Sequence, residues 1–157
     1  MPSKIEWTDE TWNLVRGCIP SSPGCKNCYA KGQANRQKGP GQKYEGLVEI
    51  RKSGPEWTGA VRTFPKELAK PLHWRAPRHI FPVSMGDLFL APLRFIAAVF
   101  GVISLSAHHT YQLLTKQADE LVEFHAWLRA TPLCGRRSPS PLERCTRSGC
   151  DAFATSA

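Results

Sequence analysis

The sequence predicts an α/β fold, and three observations predict it. Residues 79–84 (HIFPVS) and 110–114 (TYQLL) are short apolar, β-branched or aromatic runs of the kind that form buried strands. Each is followed by a segment of helical period, and strand–helix–strand–helix order with short connections implies parallel pairing through crossovers. A length of 157 residues with 41% hydrophobic and 22% charged residues fits one globular domain rather than a disordered chain.

The elements follow in chain order. Residues 12–16 read as a first strand ending at Gly17-Cys18, and residues 27–37 as a helix. Between 38 and 59, Gly39, Pro40, Gly41, Gly46, Gly54, Pro55 and Gly59 break any regular pattern, so this stretch reads as loop around a short strand at 47–51. Residues 79–84 form the next strand, although Pro82 withholds a ladder donor. Residues 94–106 are periodic and apolar, with Pro92 near the start, and predict a helix. Residues 110–114 give another strand. Residues 118–128 give an amphipathic helix with Leu121, Val122, Phe124 and Leu128 on one side.

Beyond residue 128 the hydrophobic period stops. The incomplete α/β domain is therefore placed at 1–128, and 129–157, rich in Arg, Ser, Pro and Cys, is expected to be irregular or disordered. Two origins fit that composition: a natural solvated tail, or a GC-rich gene read out of frame.

No stretch fits a membrane span. The most apolar one, residues 95–107, has 13 residues, whereas spanning requires about 20. The N-terminus MPSKIEWTDETWN has no apolar core of a signal peptide, and a cytoplasmic location without membrane association is expected. In that reducing setting, six cysteines grouped at the two ends of the chain point to metal or redox chemistry rather than to a disulfide framework.

The first group carries the chemistry. In GCIPSSPGCKNCYA, Cys18 and Cys25 are separated by six residues, and Cys25 and Cys28 by two. Pro20, Pro23 and Gly24 impose a turning path that can gather three sulfurs around one point. Three thiolates are one ligand short of closing a tetrahedral zinc site or a four-iron cluster. With a [4Fe–4S] cluster, the open iron would accept an exchangeable molecule such as S-adenosylmethionine (SAM). A zinc site with a fourth ligand from His73, His79 or a cysteine of the tail fits the same three residues, and so does a set of unliganded thiols.

The segment IEWTDETWNLVRGCIPSSPGCKNCYA resembles the opening of a phage-associated family of uncharacterised proteins that share a three-cysteine signature and are related to radical-SAM enzymes. EWTGAVR with PLHWRAPRHIF, then VSMGDLF, then HTYQLLTK continue the resemblance in order, over residues 4 to about 125. The resemblance implies the N-terminal portion of a partial (β/α) barrel of radical-SAM type. It implies cluster ligation by Cys18, Cys25 and Cys28, with SAM contacts from Met85, Gly86 and Asp87 after one strand and from Thr115 and Lys116 after the next. Asp87 would pair with the SAM ammonium, or cap a helix instead. The implied activity is reductive cleavage of SAM to a 5′-deoxyadenosyl radical acting on an unknown substrate, supplied by an electron donor. This chain departs from the pattern in three places. The first cysteine gap is longer than the usual three residues, Gln117-Ala118 stands where Arg-Pro is usual, and the tail replaces further βα units, so that this form is expected to be truncated, with an inactive remnant as one of the readings.

Charge supplies a separate expectation. The net charge is +8, and residues 16–78 hold 13 Lys/Arg against 4 Asp/Glu, with Tyr29, Tyr44, Trp57 and Trp74 among them. Cations near aromatics suit nucleic-acid backbones and unstacked bases, so nucleic acid is a candidate partner. A zinc-binding, nucleic-acid-interacting module without catalysis is the rival function. A solvated basic face over core aromatics accounts for the same composition. His108 and His109 are assigned a structural role.

Overall fold

The parallel pairing expected between residues 79 and 114 forms, and a strand from the N-terminal segment joins it. The computed structural model describes residues 5–131. In chain order these fold into β1 (Glu10–Trp12), β2 (Val15–Arg16), α1 (Tyr29–Asn35), β3 (Val48–Arg51), β4 (Gly54–Trp57), β5 (Arg62–Thr63), β6 (His79–Pro82), α2 (Leu93–Leu105), β7 (Thr110–Tyr111) and α3 (Ala118–Ala130), with single 3₁₀ turns at Pro23–Cys25, Pro65–Glu67, Lys70–His73 and Leu88–Leu90. The expected irregular tail lies outside the described residues, apart from the last two helical residues and Thr131.

The main sheet has the order β1-β6-β7, all parallel, with Glu10 opposite Ile80 and His79 opposite Thr110. β6 is central, which is why Ile80, Phe81 and Pro82 are all buried. Pro82 is tolerated because it is the last residue of its strand; the ladder resumes beyond it, where Val83 N–H donates to Trp12 O at 3.0 Å. Val83 itself has φ +62°, a strained conformation for a β-branched residue. What the structure shows is therefore a mixed α/β arrangement around a small parallel sheet.

The strand expected over residues 12–16 divides in two. Asn13 Oδ1 accepts from Ser84 N–H at 2.7 Å and Ser84 Oγ at 3.0 Å, replacing ladder bonds at that point. The chain turns there, and β2 pairs antiparallel with β5 instead. Within the Gly/Pro-rich stretch the expected strand forms as β3, and β4 completes a hairpin with it, placing Pro55 opposite Ile50. Neither β4 nor β5 has a hydrophobic pattern that announces it; both exist through pairing.

Two apolar clusters result. The larger gathers Trp12, Leu14, Val15, Ile80, Val83, Leu88, Phe89, Ile96, Val99 and Phe124 between the sheet and the helices α2 and α3. Its one buried indole donor is satisfied, Trp12 Nε1 donating to Glu67 O at 2.7 Å. The smaller cluster packs Ala30 and Ala34 of α1 against Tyr44, Leu47, Val48, Trp57 and Met85, with Cys18 and Cys28 at its edge. α1 is fastened to β4 by an ion pair, the buried Lys31 Nζ to the half-buried Glu56 Oε2 at 2.8 Å. On α3 the expected apolar side is narrower than its pattern: Phe124 is buried and Leu128 half-buried, whereas Leu121 and Val122 are exposed.

Candidate metal and cofactor site

Cys18 follows β2, Cys25 ends the 3₁₀ turn Pro23–Cys25, and Cys28 is the N-cap residue of α1. All three thiols are free and half-buried, and all three line one cavity of about 500 Å³. Gly86, Asp87, Thr115 and Lys116 line the same cavity. These four stand just past the carboxyl ends of β6 and β7, where open parallel sheets place their ligands.

The remaining wall is largely apolar, with Tyr29, Trp57, Phe81, Val83 and Leu114. Tyr29 is an exposed residue whose hydroxyl donates to Ser84 O at 2.8 Å. The convergence of these wall residues on the cavity is set by tertiary placement; the sequence singles out only Tyr29 and Trp57, as aromatics among cations. Met85 is not in the lining. Its side chain is buried in the smaller cluster, and its carbonyl accepts from Gly17 N–H at 3.3 Å.

The two cysteines that bound the longer gap differ electrostatically. Burial pushes the Cys18 thiol up to about 11, with the Asp87 carboxylate adding to the effect. Cys25 is brought down to about 7, first by the Ser22 hydroxyl, whose Oγ lies 3.5 Å from its sulfur, then by backbone N–H groups of Ser21 and Ser22 and by the charge of Lys116. Lys116 Nζ is 3.9 Å from Cys25 Sγ.

Asp87 is only 5% exposed. Its Oδ1 accepts from Phe89 N–H at 3.1 Å, which caps the turn Leu88–Leu90. Thr115 Oγ1 donates to both carboxylate oxygens at 2.9 Å, and Lys116 N–H donates to Oδ2 at 3.0 Å. The cap expected as one of its two roles is present, and the carboxylate also ties the end of β6 to the end of β7. Gly86 is forced by contact: a Cβ there would stand 2.6 Å from Gly17 O and 3.3 Å from Val15 O.

The donor chemistry suits a thiophilic metal group: three thiols on one cavity wall and no carboxylate among the residues flanking them in the loop. The three cysteines line one cavity without forming a ready ligand group. Among the described residues, no group of three or more His, Cys, Asp or Glu side chains is drawn together closely enough to hold a metal ion. His73 and His79 are exposed and do not line the cavity, and His79 pairs with Asp9 at 3.4 Å. The remaining cysteines, Cys134, Cys145 and Cys150, lie outside the described residues.

The basic segment is used partly from within. Lys31, Arg51, Lys70 and Arg78 make ion pairs, and Arg16 stacks its guanidinium over Phe64 at 3.9 Å. Among the described residues, Lys26, Arg36, Lys43, Lys52, Lys66 and Arg75 are exposed, and their side chains enter none of these ion pairs or ring contacts. Of the four interspersed aromatics, Tyr44 and Trp57 are core residues, Trp74 is half-buried and Tyr29 is exposed. No described helix is long and apolar enough to cross a membrane.

Compared with known proteins, residues 2–141 match the model of a family described as "Protein of unknown function (DUF5131)". No curated protein and no solved structure matches the chain.

Proposed function

The chain belongs to the DUF5131 family, whose description carries no activity, and from its resemblance to radical-SAM-related proteins together with the cavity its cysteines line we propose that it is an iron–sulfur protein of radical-SAM type. One observation supports this reading above the others. Cys18, Cys25 and Cys28 share a single cavity with Gly86, Asp87, Thr115 and Lys116, the residues that follow two adjacent parallel strands. Cys18, Cys25 and Cys28 would hold a [4Fe–4S] cluster, and SAM would occupy the remaining space. Bound there, the cluster would supply the electron for reductive cleavage of SAM to methionine and a 5′-deoxyadenosyl radical, and that radical would take a hydrogen atom from a substrate.

The protein's own share is binding and exclusion of water. The smaller apolar cluster backs Cys18 and Cys28. Gly86 lets the end of β6 lie against Gly17 where the cysteine loop begins, and Asp87 holds Thr115 and Lys116 at the cavity. Because metal binding requires thiolates, Cys18 must surrender its proton on loading, while much of Cys25 has already done so at neutral pH. In this reading β1, β6 and β7 begin a (β/α) barrel, an external donor supplies the electron, and the exposed cations would steer a polyanionic substrate such as nucleic acid.

The test is anaerobic reconstitution with iron and sulfide, followed by metal and sulfide analysis and EPR of the reduced protein with and without SAM. About four irons and four sulfides per chain are expected, with a reduced-cluster signal that changes on adding SAM and is lost in Cys25→Ala. Stoichiometric zinc in place of iron, or full iron and sulfide in Cys25→Ala, would overturn the reading.

A further inference from the structure

The turn after β7 reaches across to the cysteine loop at three points far apart in sequence. Gln117 Nε2 donates to Ile19 O at 2.8 Å, Ser21 Oγ donates to Lys116 O at 3.1 Å, and Lys116 Nζ stands 3.9 Å from Cys25 Sγ. The lysine head also lies 3.4 Å from where a Cβ on Gly24 would be, an ordinary contact distance that places it over the loop.

The turn is itself anchored from behind. Thr115 Oγ1 and Lys116 N–H are held by the buried Asp87 carboxylate, and Gln117 N–H donates to Thr115 Oγ1 at 3.0 Å. A buried, fully engaged carboxylate is a stiff anchor, because removing any of its donors leaves desolvated charge behind. The loop has little apolar anchorage of its own: residues 19–24 are exposed, and its internal hydrogen bonds are short-range, such as Cys25 N–H to Ser22 O at 2.9 Å and Lys26 N–H to Pro23 O at 3.1 Å. Such a segment belongs to the low-stability end of a fold unless something holds it.

We infer that Thr115, Lys116 and Gln117 form a clasp that fixes the shape of the cysteine loop, with Lys116 as the positioning residue for the Cys25 sulfur. This gives Lys116 a role toward the protein's own thiol, distinct from a contact to a bound cofactor. The importance of Cys25 as a ligand rests on the function proposed above; the clasp itself rests on the contacts of residues 115–117 with the loop.

The two can therefore be tested apart. Hydrogen–deuterium exchange would be measured on the full-length, metal-free chain as wild type, Gln117→Ala, Lys116→Met and Lys116→Arg. In Gln117→Ala and Lys116→Met the amides of Cys25, Lys26 and Cys28 are expected to exchange about tenfold faster, with the β6 amides unchanged. Lys116→Arg, which keeps a cationic donor of similar reach, is expected to restore most of the protection. Unchanged loop exchange in both variants overturns the clasp. Faster exchange spread equally over β6 overturns it too, since residues 115–117 would then stabilise the fold at large. A wild-type loop that is protected yet takes up no iron would sink the cluster reading and leave the clasp standing.

Discussion

Cys18 and Cys25 belong to one loop, and their chemistry diverges because their surroundings do. Cys18 sits at the edge of the smaller cluster near a buried carboxylate, whereas Cys25 faces the Ser22 hydroxyl and the Lys116 ammonium. With the thiols at about 11 and about 7, iodoacetamide at pH 7 is expected to modify Cys25 well ahead of Cys18, because the thiolate is the reacting form. Followed by peptide mass analysis, the Cys25 rate rises through pH 7 and then levels off, while that of Cys18 keeps rising up to about pH 11. Equal rates at pH 7 would contradict the assignment. The spacing of the three cysteines was legible in the sequence. Which thiol is acidic was not, since Ser22 precedes Cys25 by three residues while Lys116 approaches from 91 residues away.

At the scale of elements, α3 shows how far a hydrophobic pattern can be read. Leu121, Val122, Phe124 and Leu128 suit one apolar side, but a side is buried only where another element covers it. Here α2 and the turn Leu88–Leu90 supply that cover at Phe124, which stacks on Phe100 at 5.5 Å, and Val122 is left 68% exposed. Phe124→Ala is expected to cost about 3–5 kcal/mol in chemical denaturation, and Val122→Ser to stay within about 0.5 kcal/mol of wild type. A large effect at Val122 would mean that something covers that face in solution. β7 shows the converse limit. TYQLL has the composition of a five-residue strand, yet only Thr110 and Tyr111 pair, because the chain then turns to deliver Thr115 and Lys116 to Asp87.

For the molecule as a whole, the decisive contact is the one between two glycines. Gly17 and Gly86 form a parallel bridge where β2 leaves the larger cluster and the cysteine loop begins. Gly86→Ala would drive a methyl against Gly17 O, and because that oxygen is backbone the strain cannot relax through a rotamer. A loss of about 1–3 kcal/mol is expected, measured as a lower unfolding midpoint. Gly101→Ala is the control. It lies within α2 with open space where the Cβ would go, and is expected to raise stability by about 0.5–1 kcal/mol. An insensitive Gly86 would mean that the two strand ends are less closely held than described.

Read alone, the sequence determined the α/β class, β6 and α2 nearly to their ends, and the three-cysteine loop, because these depend on local composition: apolar runs, helical period, and Pro and Gly at turns. The resemblance in the sequence already implied that Asp87, Thr115 and Lys116 share a site with the three cysteines. The tertiary structure decided the division of the first strand at Asn13, the existence of β4 and β5, the exposure of Leu121 and Val122, and the bonds that tie Asp87 to Thr115 and Lys116 and carry Gln117 to the cysteine loop. Each of these is a pairing between residues distant in the chain. Asn13 meets Ser84, Gly17 meets Gly86, and Gln117 meets Ile19. Local propensity carries no term for such contacts; they form when burial and hydrogen bonding across the folded chain outweigh the entropy of closing the loops between them.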